Sequence, residues 1–191
     1  SSDVCSSDLV VVHSSCGSNV TSDVSSVEVT ANTSISAQPA ASTSVCAGGT
    51  APELSVTASG TGTVTYQWYS NTSNSNTGGT SITDATSSTY TPSVSSVGTM
   101  YYYVVVHSSC GSDVTSDVSI VTVTANTSIS VQPAASTSVC AGGTAPELSV
   151  TASGTGTVTY QWYSNEDNDN SGGTLITDAT SSTYTPSVSS V

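Results

Sequence analysis

Apolar residues recur at every second position in short segments along the chain. Leu54 and Val56 alternate with polar neighbours, and Tyr66 and Trp68 do the same after a turn at residues 59–62. Side chains of a β-strand point alternately to opposite faces, so this period gives each strand one apolar face. The pattern therefore predicts β-strands rather than helices along the chain.

Clusters of Ser, Thr, Asn and Gly separate these segments, as is typical of turns. The longest predicted strand runs from Met100 to Val106, and the last passes through Val121 and Val123. About seven strands then fall within roughly 95 residues, which predicts an all-β fold of the β-sandwich class. The residues predicted to face the core include Tyr66, Trp68, Tyr102 and Val104, and the outward-facing candidates for surface contact are Tyr69, Tyr101 and Tyr103.

The sequence repeats itself at an offset of 94 residues. VVVHSSCGS begins at Val10 and again at Val104, and a longer identical segment begins at Thr43 and again at Thr137. A fixed period of this kind indicates a tandem array of structural units, and the short linkers predict stiff coupling between neighbours. The predicted divisions are the end of an upstream unit at 10–30, a complete unit at 31–124 and a shortened unit at 125–191.

Residues 1–9 do not fit the repeat. Their sequence, SSDVCSSDL, stands where the second copy has SSVGTMYYY. It resembles a translated sequencing adapter. We therefore expect residues 1–9, Cys5 included, to contribute to neither fold nor function.

The charge composition argues against several functions. The chain has no Lys or Arg and 13 acidic residues, which gives a formal net charge of −13. Nucleic-acid binding needs basic residues that displace counterions from phosphates, so we expect no nucleic-acid partner. No apolar run approaches the ~18 residues that cross a bilayer, so we expect no membrane insertion. The Ser and Thr content also suits a disordered stalk, but the alternation and the aromatic residues favour a packed core.

Differences between the copies concentrate in one loop. Nine of the 88 aligned positions differ, and five of those nine lie in or beside the loop at 71–81. Variation in one loop of a constant scaffold is typical of a binding loop.

Several segments together resemble a known family. VCAGGT, ELSVTAS, TYQWYSN, SSTYTPSVSSVGTMYYYVVV, SCGS and VTVT are similar to the bacterial Ig-like repeats of large secreted surface and adhesin proteins of the Bacteroidetes type. The resemblance implies a seven-stranded Ig-like sandwich, an extracellular or cell-surface location and a stalk or adhesin role. It matches Trp68 to the core Trp and Tyr102 to the tyrosine corner, whereas Val56 and Val104 stand where Ig domains carry cysteines.

Two cysteines remain in each unit of the array. In the complete unit Cys46 precedes the second strand and Cys110 lies in the turn between the last two strands, which suggests that both lie near one end of the sandwich. We predict a Cys46–Cys110 disulfide, which also implies an oxidising compartment. The alternatives are two reduced thiols or a metal site. Cys16 and Cys140 would pair within their own units or with each other.

One loop of the third unit carries a possible cation motif. Asp167, Asp169, Ser171 and Asp178 supply oxygen atoms at spacings that resemble a calcium-binding loop. The alternative is a solvated acidic hairpin loop. No other cofactor is expected.

The sequence favours a function that is not enzymatic. His13 and His107 occupy one repeat position, and a Ser/His/Asp coincidence carries no weight in so Ser-rich a chain. The predicted function is an extracellular stalk, spacer and adhesive element, whose partners are neighbouring repeats and a surface polysaccharide or protein. The alternative is a carbohydrate-binding accessory module of a secreted polysaccharide-degrading enzyme.

Overall fold

The computed structural model describes residues 5–188, and this part of the chain forms twenty strands. The upstream segment contains β1 Cys5–Asp8, β2 Val11–Val12, β3 Val20–Thr21 and β4 Ser25–Glu28. The complete unit contains β5 Ser34–Ala37, β6 Ser42–Cys46, β7 Leu54–Ser55, β8 Thr57–Ser59, β9 Thr65–Asn71, β10 Thr80–Ser81, β11 Thr89–Tyr90, β12 Gly98–His107, β13 Val114–Thr115 and β14 Ser119–Thr124. The third unit contains β15 Ser128–Val131, β16 Leu148–Ser149, β17 Thr151–Ser153, β18 Tyr163–Ser164, β19 Thr174–Leu175 and β20 Thr183–Tyr184.

The larger sheet of the complete unit has the strand order β10-β9-β12-β14-β6, with β13 also paired to β12. All its pairs are antiparallel except that of β14 with β6, which run parallel. The ten-residue strand β12 is the centre of this sheet, because it pairs with β9, β13 and β14.

The opposite layer is built from β5, β7, β8 and β11. β5 pairs with β8 and β11 pairs with β7, and only Val56 separates β7 from β8 along the chain. Val56 N still donates to Ser88 O at 3.0 Å, so the backbone stays bonded through this interruption. Two facing layers with this strand order form an immunoglobulin-like β-sandwich, which confirms the predicted fold class.

The core lies between the two layers. Trp68 and Val104 are directly paired across β9 and β12, and both are fully buried. The indole Nε1 of Trp68 donates to Ser87 O at 2.9 Å, so the polar atom of this side chain is satisfied within the core. The buried cluster comprises Leu54, Val56, Trp68, Ala85, Tyr102, Val104, Val106 and Val121, with Tyr66 and Tyr90 among the half-buried residues packed against it.

The upstream segment repeats the strand pairing of the complete unit but not its core. Val10 and Val12 are 58% and 59% exposed, whereas their counterparts Val104 and Val106 are fully buried. Identical residues therefore differ in burial because the complete unit covers them with an opposite layer, whereas the described upstream residues 5–30 provide none. All described residues of 7–29 are exposed.

Residues 5–8 do take part in the fold, contrary to our expectation for residues 1–9. β1 pairs with β4 in a register that runs from Cys5↔Glu28 to Asp8↔Ser25. The complete unit has the same register at the equivalent positions, from Thr99↔Thr122 to Tyr102↔Ser119. Backbone pairing depends on main-chain groups, so a segment with different side chains can occupy this place. Residues 1–4 lie outside the described range.

The third unit keeps short strand pairs but leaves its apolar face open. β15 pairs with β17, β16 with β20 and β18 with β19. Trp162, the counterpart of Trp68, is only half-buried. It lines a groove of about 270 Å³ together with Ile129, Val150 and Val158.

Candidate functional site

The outer face of β9 and β12 carries a pair of stacked tyrosines. Tyr69 and Tyr103 are opposite each other in the sheet, with ring centroids 5.1 Å apart and 4° between the ring planes. Tyr103 is nevertheless only 4% exposed, because the loop after β9 covers it and Gly79 N donates to its hydroxyl at 3.0 Å. Tyr69 and Tyr101 are half-buried. The expectation of three exposed tyrosines is therefore wrong for Tyr103.

The covering loop is held in shape by Asn71. The side-chain Nδ2 of Asn71 donates to Ser75 O and Thr77 O, both at 3.1 Å, and its Oδ1 accepts from Ser73 N at 3.2 Å. Asn76 adds a bond to Ser116 O at 2.9 Å, which fastens the loop to the segment between β13 and β14. The differences between copies at 72, 73, 75 and 77 therefore fall on an ordered loop.

In the third unit Asn165 makes the same kind of hydrogen bonds as Asn71, although the loop around it has different side chains. Asn165 Nδ2 donates to Ser171 O at 2.8 Å, and its Oδ1 accepts from Asp167 N at 3.1 Å. Sequence reasoning missed this asparagine, although it is identical in both copies and is followed at once by changing residues. The available signal was its position directly before the first residue of the loop that differs between the copies.

The predicted calcium ligands are not gathered around a common point. Asp169 Oδ1 accepts from Asn165 Nδ2 at 2.8 Å and from Ser171 N at 2.9 Å, so this carboxylate closes the loop. Asp178 lies beyond β19 in a separate turn, where its carbonyl accepts from Thr180 N at 3.0 Å. Within residues 5–188 no group of three or more His, Cys, Asp or Glu side chains is placed to hold a metal ion. The structure thus does not bring Asp167, Asp169, Ser171 and Asp178 together, and the calcium site stays a prediction.

The complete unit has two poles, each next to one linker. The incoming pole consists of residues 31–33, 60–62 and 107–113. Here Thr33 N donates to Cys110 O at 3.1 Å, and Thr61 Oγ1 donates to Ala31 O at 2.8 Å. Thr33 Oγ1 also lies 2.8 Å from the buried hydroxyl of Ser108. These contacts fix the direction in which the chain arrives at the domain.

The outgoing pole consists of residues 46–49, 94–98 and 124–126. Ala47 N donates to Thr124 O at 2.9 Å, and Asn126 Nδ2 donates to Ala47 O at 3.0 Å. Gly48 N donates to Val94 O at 2.9 Å, which joins the turn after β6 to the segment before β12. The chain thus leaves the domain at the end opposite to the one where it arrives.

The two cysteines of the complete unit lie at opposite poles, which corrects the predicted disulfide. Cys46 is paired with Thr124 at the outgoing pole, whereas Cys110 follows the far end of β12 at the incoming pole. The ten residues of β12 span about 30 Å at ~3.3 Å per residue, far beyond the ~7 Å between Cα atoms that a disulfide allows. The segment β7–β8 and strand β12 both end at the incoming pole. Cys46 precedes the start of β7–β8 and Cys110 follows the end of β12, so the two cysteines lie at opposite ends of the domain. Cys16, Cys46, Cys110 and Cys140 are free thiols.

Other titratable groups with close partners lie at the incoming pole and in the core. His107 Nδ1 lies 2.6 Å from Asp113 Oδ1, and both side chains are exposed at the incoming pole. Burial raises the pKa of Tyr90 and of Tyr102, and the nearby Tyr90 adds to the rise at Tyr102. The rings of these two tyrosines lie 5.6 Å apart beside Trp68 in the core.

A family model described as "Domain of unknown function (DUF8696)" matches residues 35–125. No curated protein matches the chain. Residues 5–188 contain no helix of the length and apolar character needed to cross a membrane.

The chain is similar to several solved arrays of immunoglobulin domains. For the N-terminal four Ig domains of Dscam1 isoform 6.9 the identity is 17% and the TM-score 0.46, with 85% of this chain and 40% of that one covered. A three-Ig structure of titin has 12% identity and a TM-score of 0.48, covering 78% and 50%. Extracellular domains 3–5 of Drosophila OTK have 17% identity and a TM-score of 0.46, covering 85% and 55%. The chain thus spans about half the length of the solved chains that it matches.

Proposed function

We propose that the chain is part of a non-enzymatic, extracellular array of Ig-like domains that acts as a stalk or spacer and as an adhesive element of a bacterial surface or secreted protein. The observation that carries the proposal is the attachment of the linkers. The hydrogen bond from Thr61 Oγ1 to Ala31 O at 2.8 Å recurs one repeat later as Thr155 Oγ1 to Ala125 O at 3.1 Å. Ser34 with Ser59 and Ser128 with Ser153 repeat in the same way, at 3.0 and 3.1 Å.

These repeated contacts support a stiff rod. Each domain receives the chain at one pole and releases it at the other, so successive domains extend the array instead of folding back. The linker is bonded on both sides, which limits the bending expected of a free peptide of the same length. Net negative charge without any basic residue also keeps neighbouring rods apart.

Small-angle X-ray scattering can test the spacer role on the chain itself. Inserting Gly-Ser-Gly-Ser between Thr124 and Ala125 should break the hydrogen bond from Asn126 Nδ2 to Ala47 O while leaving the sequence of each repeat unchanged. We expect the insertion to broaden the distance distribution relative to the unaltered chain. The same insertion between Asn74 and Ser75 is the control and should leave the distribution unchanged. Equal breadth in the unaltered and linker-inserted chains would refute stiff coupling.

The adhesive role is supported by the loop at 71–81. The scaffold around this loop is nearly identical between copies, whereas the loop itself changes and remains ordered through Asn71. Repeated presentation of weak sites on one rod raises the overall affinity for a polyvalent surface. Binding of the chain to immobilised polysaccharides and proteins should change when positions 72, 73, 75, 77 and 81 receive the residues of the third unit. If the chain binds neither class, or if the exchange of loop residues does not change binding, the adhesive role is refuted and only the spacer role remains.

The carbohydrate-binding alternative has weaker support. Sugar rings stack on exposed aromatic faces, but Tyr103 is covered by the loop and Tyr69 packs against it. Retention on insoluble polysaccharide that is lost with Tyr69→Ala and unaffected by the loop exchange would favour that alternative.

A further inference from the structure

The complete unit carries one thiol at each pole, and both thiols contact a linker. Cys46 is exposed at the end of β6, and Cys110 is half-buried in the turn after β12. Because they lie at opposite poles of one domain, each is much closer to a linker than to the other cysteine.

The outgoing linker contacts the Cys46 thiol. Thr124 Oγ1 lies 3.9 Å from Cys46 Sγ, and Asn126 Nδ2 donates to the carbonyl of the next residue, Ala47, at 3.0 Å. The linker therefore follows the sulfur closely as it leaves the domain.

The incoming linker contacts the Cys110 thiol. Cys110 Sγ lies 4.0 Å from Thr30 O and 3.8 Å from Asn32 Oδ1. Thr33 N and Thr33 Oγ1 both donate to Cys110 O, at 3.1 and 3.0 Å, so the turn that carries this thiol is fastened to the linker.

The 94-residue offset superimposes these two sets of contacts. Thr30 and Thr124 are the same repeat position, and so are Asn32 and Asn126. At a junction between two complete repeats, one linker threonine thus presents its hydroxyl to the Cys46-type thiol of the preceding domain and its carbonyl to the Cys110-type thiol of the following domain. The linker asparagine likewise reaches one domain through Nδ2 and the other through Oδ1.

We propose that consecutive repeats are joined by a disulfide between the cysteine at the Cys46 position of one domain and the cysteine at the Cys110 position of the next. The inference depends on the tandem repetition, which the sequence carries, and not on the proposed role of the array. In this arrangement both sulfurs contact the same linker threonine, at 3.9 Å and 4.0 Å, so the threonine position lies between the two cysteines that would form the bond.

The chemistry of the cross-link balances as an ordinary thiol oxidation. Two S–H bonds break and one S–S bond forms, with loss of two protons and two electrons. The oxidant is a disulfide, either a small molecule such as oxidised glutathione or a disulfide-bonded oxidoreductase, and it is reduced to two thiols. The cross-link closes a loop across the junction and therefore restrains bending between domains.

A chain with two complete repeats tests the proposal directly. Joining a second copy of residues 98–124 after Val191 continues the 94-residue period and completes the third unit. Cys5, Cys16, Cys110 and Cys140 are replaced by Ser, so that Cys46 and the cysteine of the added turn are the only thiols. The chain is folded in a glutathione redox buffer, and its free thiols are then labelled with maleimide.

We expect Cys46 and the added cysteine to become unreactive and to appear as one cross-linked peptide after chymotryptic digestion without reductant. The matched control combines Cys46→Ser with Ser42→Cys, which moves the thiol four residues along the same exposed strand and about 13 Å from the linker. This control should keep both thiols reactive. Free thiols in the test chain, or equal cross-linking in the control, would overturn the proposal. Far-ultraviolet circular dichroism establishes that both chains are folded.

Discussion

Gly79 N donates a hydrogen bond of 3.0 Å to the hydroxyl of Tyr103, whose ring stacks on Tyr69. This contact joins the loop at 71–81, which differs between the copies, to the centre of the larger sheet. Gly79 can approach so closely because it lacks a side chain, since a Cβ there would lie 2.9 Å from the Tyr103 ring and 2.7 Å from Ser70 O. The loop and the sheet surface are therefore one structural unit.

Replacing Tyr103 by Phe should loosen this loop while preserving the stacked rings. We expect a loss of about 1 kcal/mol in the free energy of unfolding, as for one hydrogen bond, together with faster hydrogen exchange at Gly79. Chemical denaturation and exchange measured by NMR give the two values. Tyr101→Phe removes the same atom from the same outward face and serves as the control. Unchanged exchange at Gly79 would contradict the role of the hydroxyl.

Trp68 should be the most costly core residue to truncate. Its side chain is fully buried between the layers and bonded to Ser87 O, so Trp68→Ala should destabilise the complete unit by about 3–5 kcal/mol. The identical substitution at Trp162, which is half-buried in the third unit, should cost far less. Denaturant unfolding of the two variants provides the comparison. Similar losses from both substitutions would show that the complete unit has no special core.

Gly60 should not accept a side chain. A Cβ at this position would lie 2.4 Å from Ser108 Oγ and 2.7 Å from Ser108 Cβ, both in a buried residue. We expect Gly60→Ala to destabilise the domain by about 1–3 kcal/mol through overpacking at the incoming pole. Gly60→Ala combined with Ser108→Gly should recover much of that loss if the clash is the cause. A thermal melt of the single and double variants decides the point.

Alkaline pH should weaken the fold through Tyr90 and Tyr102. Burial raises their pKa above the ordinary value of 10.0, so the unfolded chain releases these protons at lower pH than the folded chain does. The associated stability is complete below about pH 10 and is lost as the pH rises through the folded pKa. The denaturant concentration at the unfolding midpoint should decrease as the pH rises above about 10, and Tyr102→Phe should make this decrease less steep. An unchanged slope in that variant would place the titration elsewhere.

The sequence pattern predicted the all-β sandwich because strand alternation and turn composition are local properties. It did not predict that a loop covers Tyr103, because alternation gives the direction of a side chain but not the path of a loop whose contacting residue, Gly79, lies 24 residues earlier in the chain. The pole of Cys46 also depends on a distant relationship, the parallel pairing of β6 with β14. Counting strand directions would have separated the two cysteines. Cys46 precedes the segment β7–β8 and Cys110 follows β12, and these two segments run in the same direction.

Parallel pairing of β6 with β14 determines how a domain responds to a pulling force along the array. The chain is pulled toward the incoming pole through β5 and β6 and toward the outgoing pole through β14. Five aligned residue pairs, from Ile120↔Ser42 to Thr124↔Cys46, then slide against each other in shear. Their hydrogen bonds lie across the direction of pull and must yield together, whereas a hairpin pulled from one end would open bond by bond. The complete unit is thus arranged to resist tension before it extends.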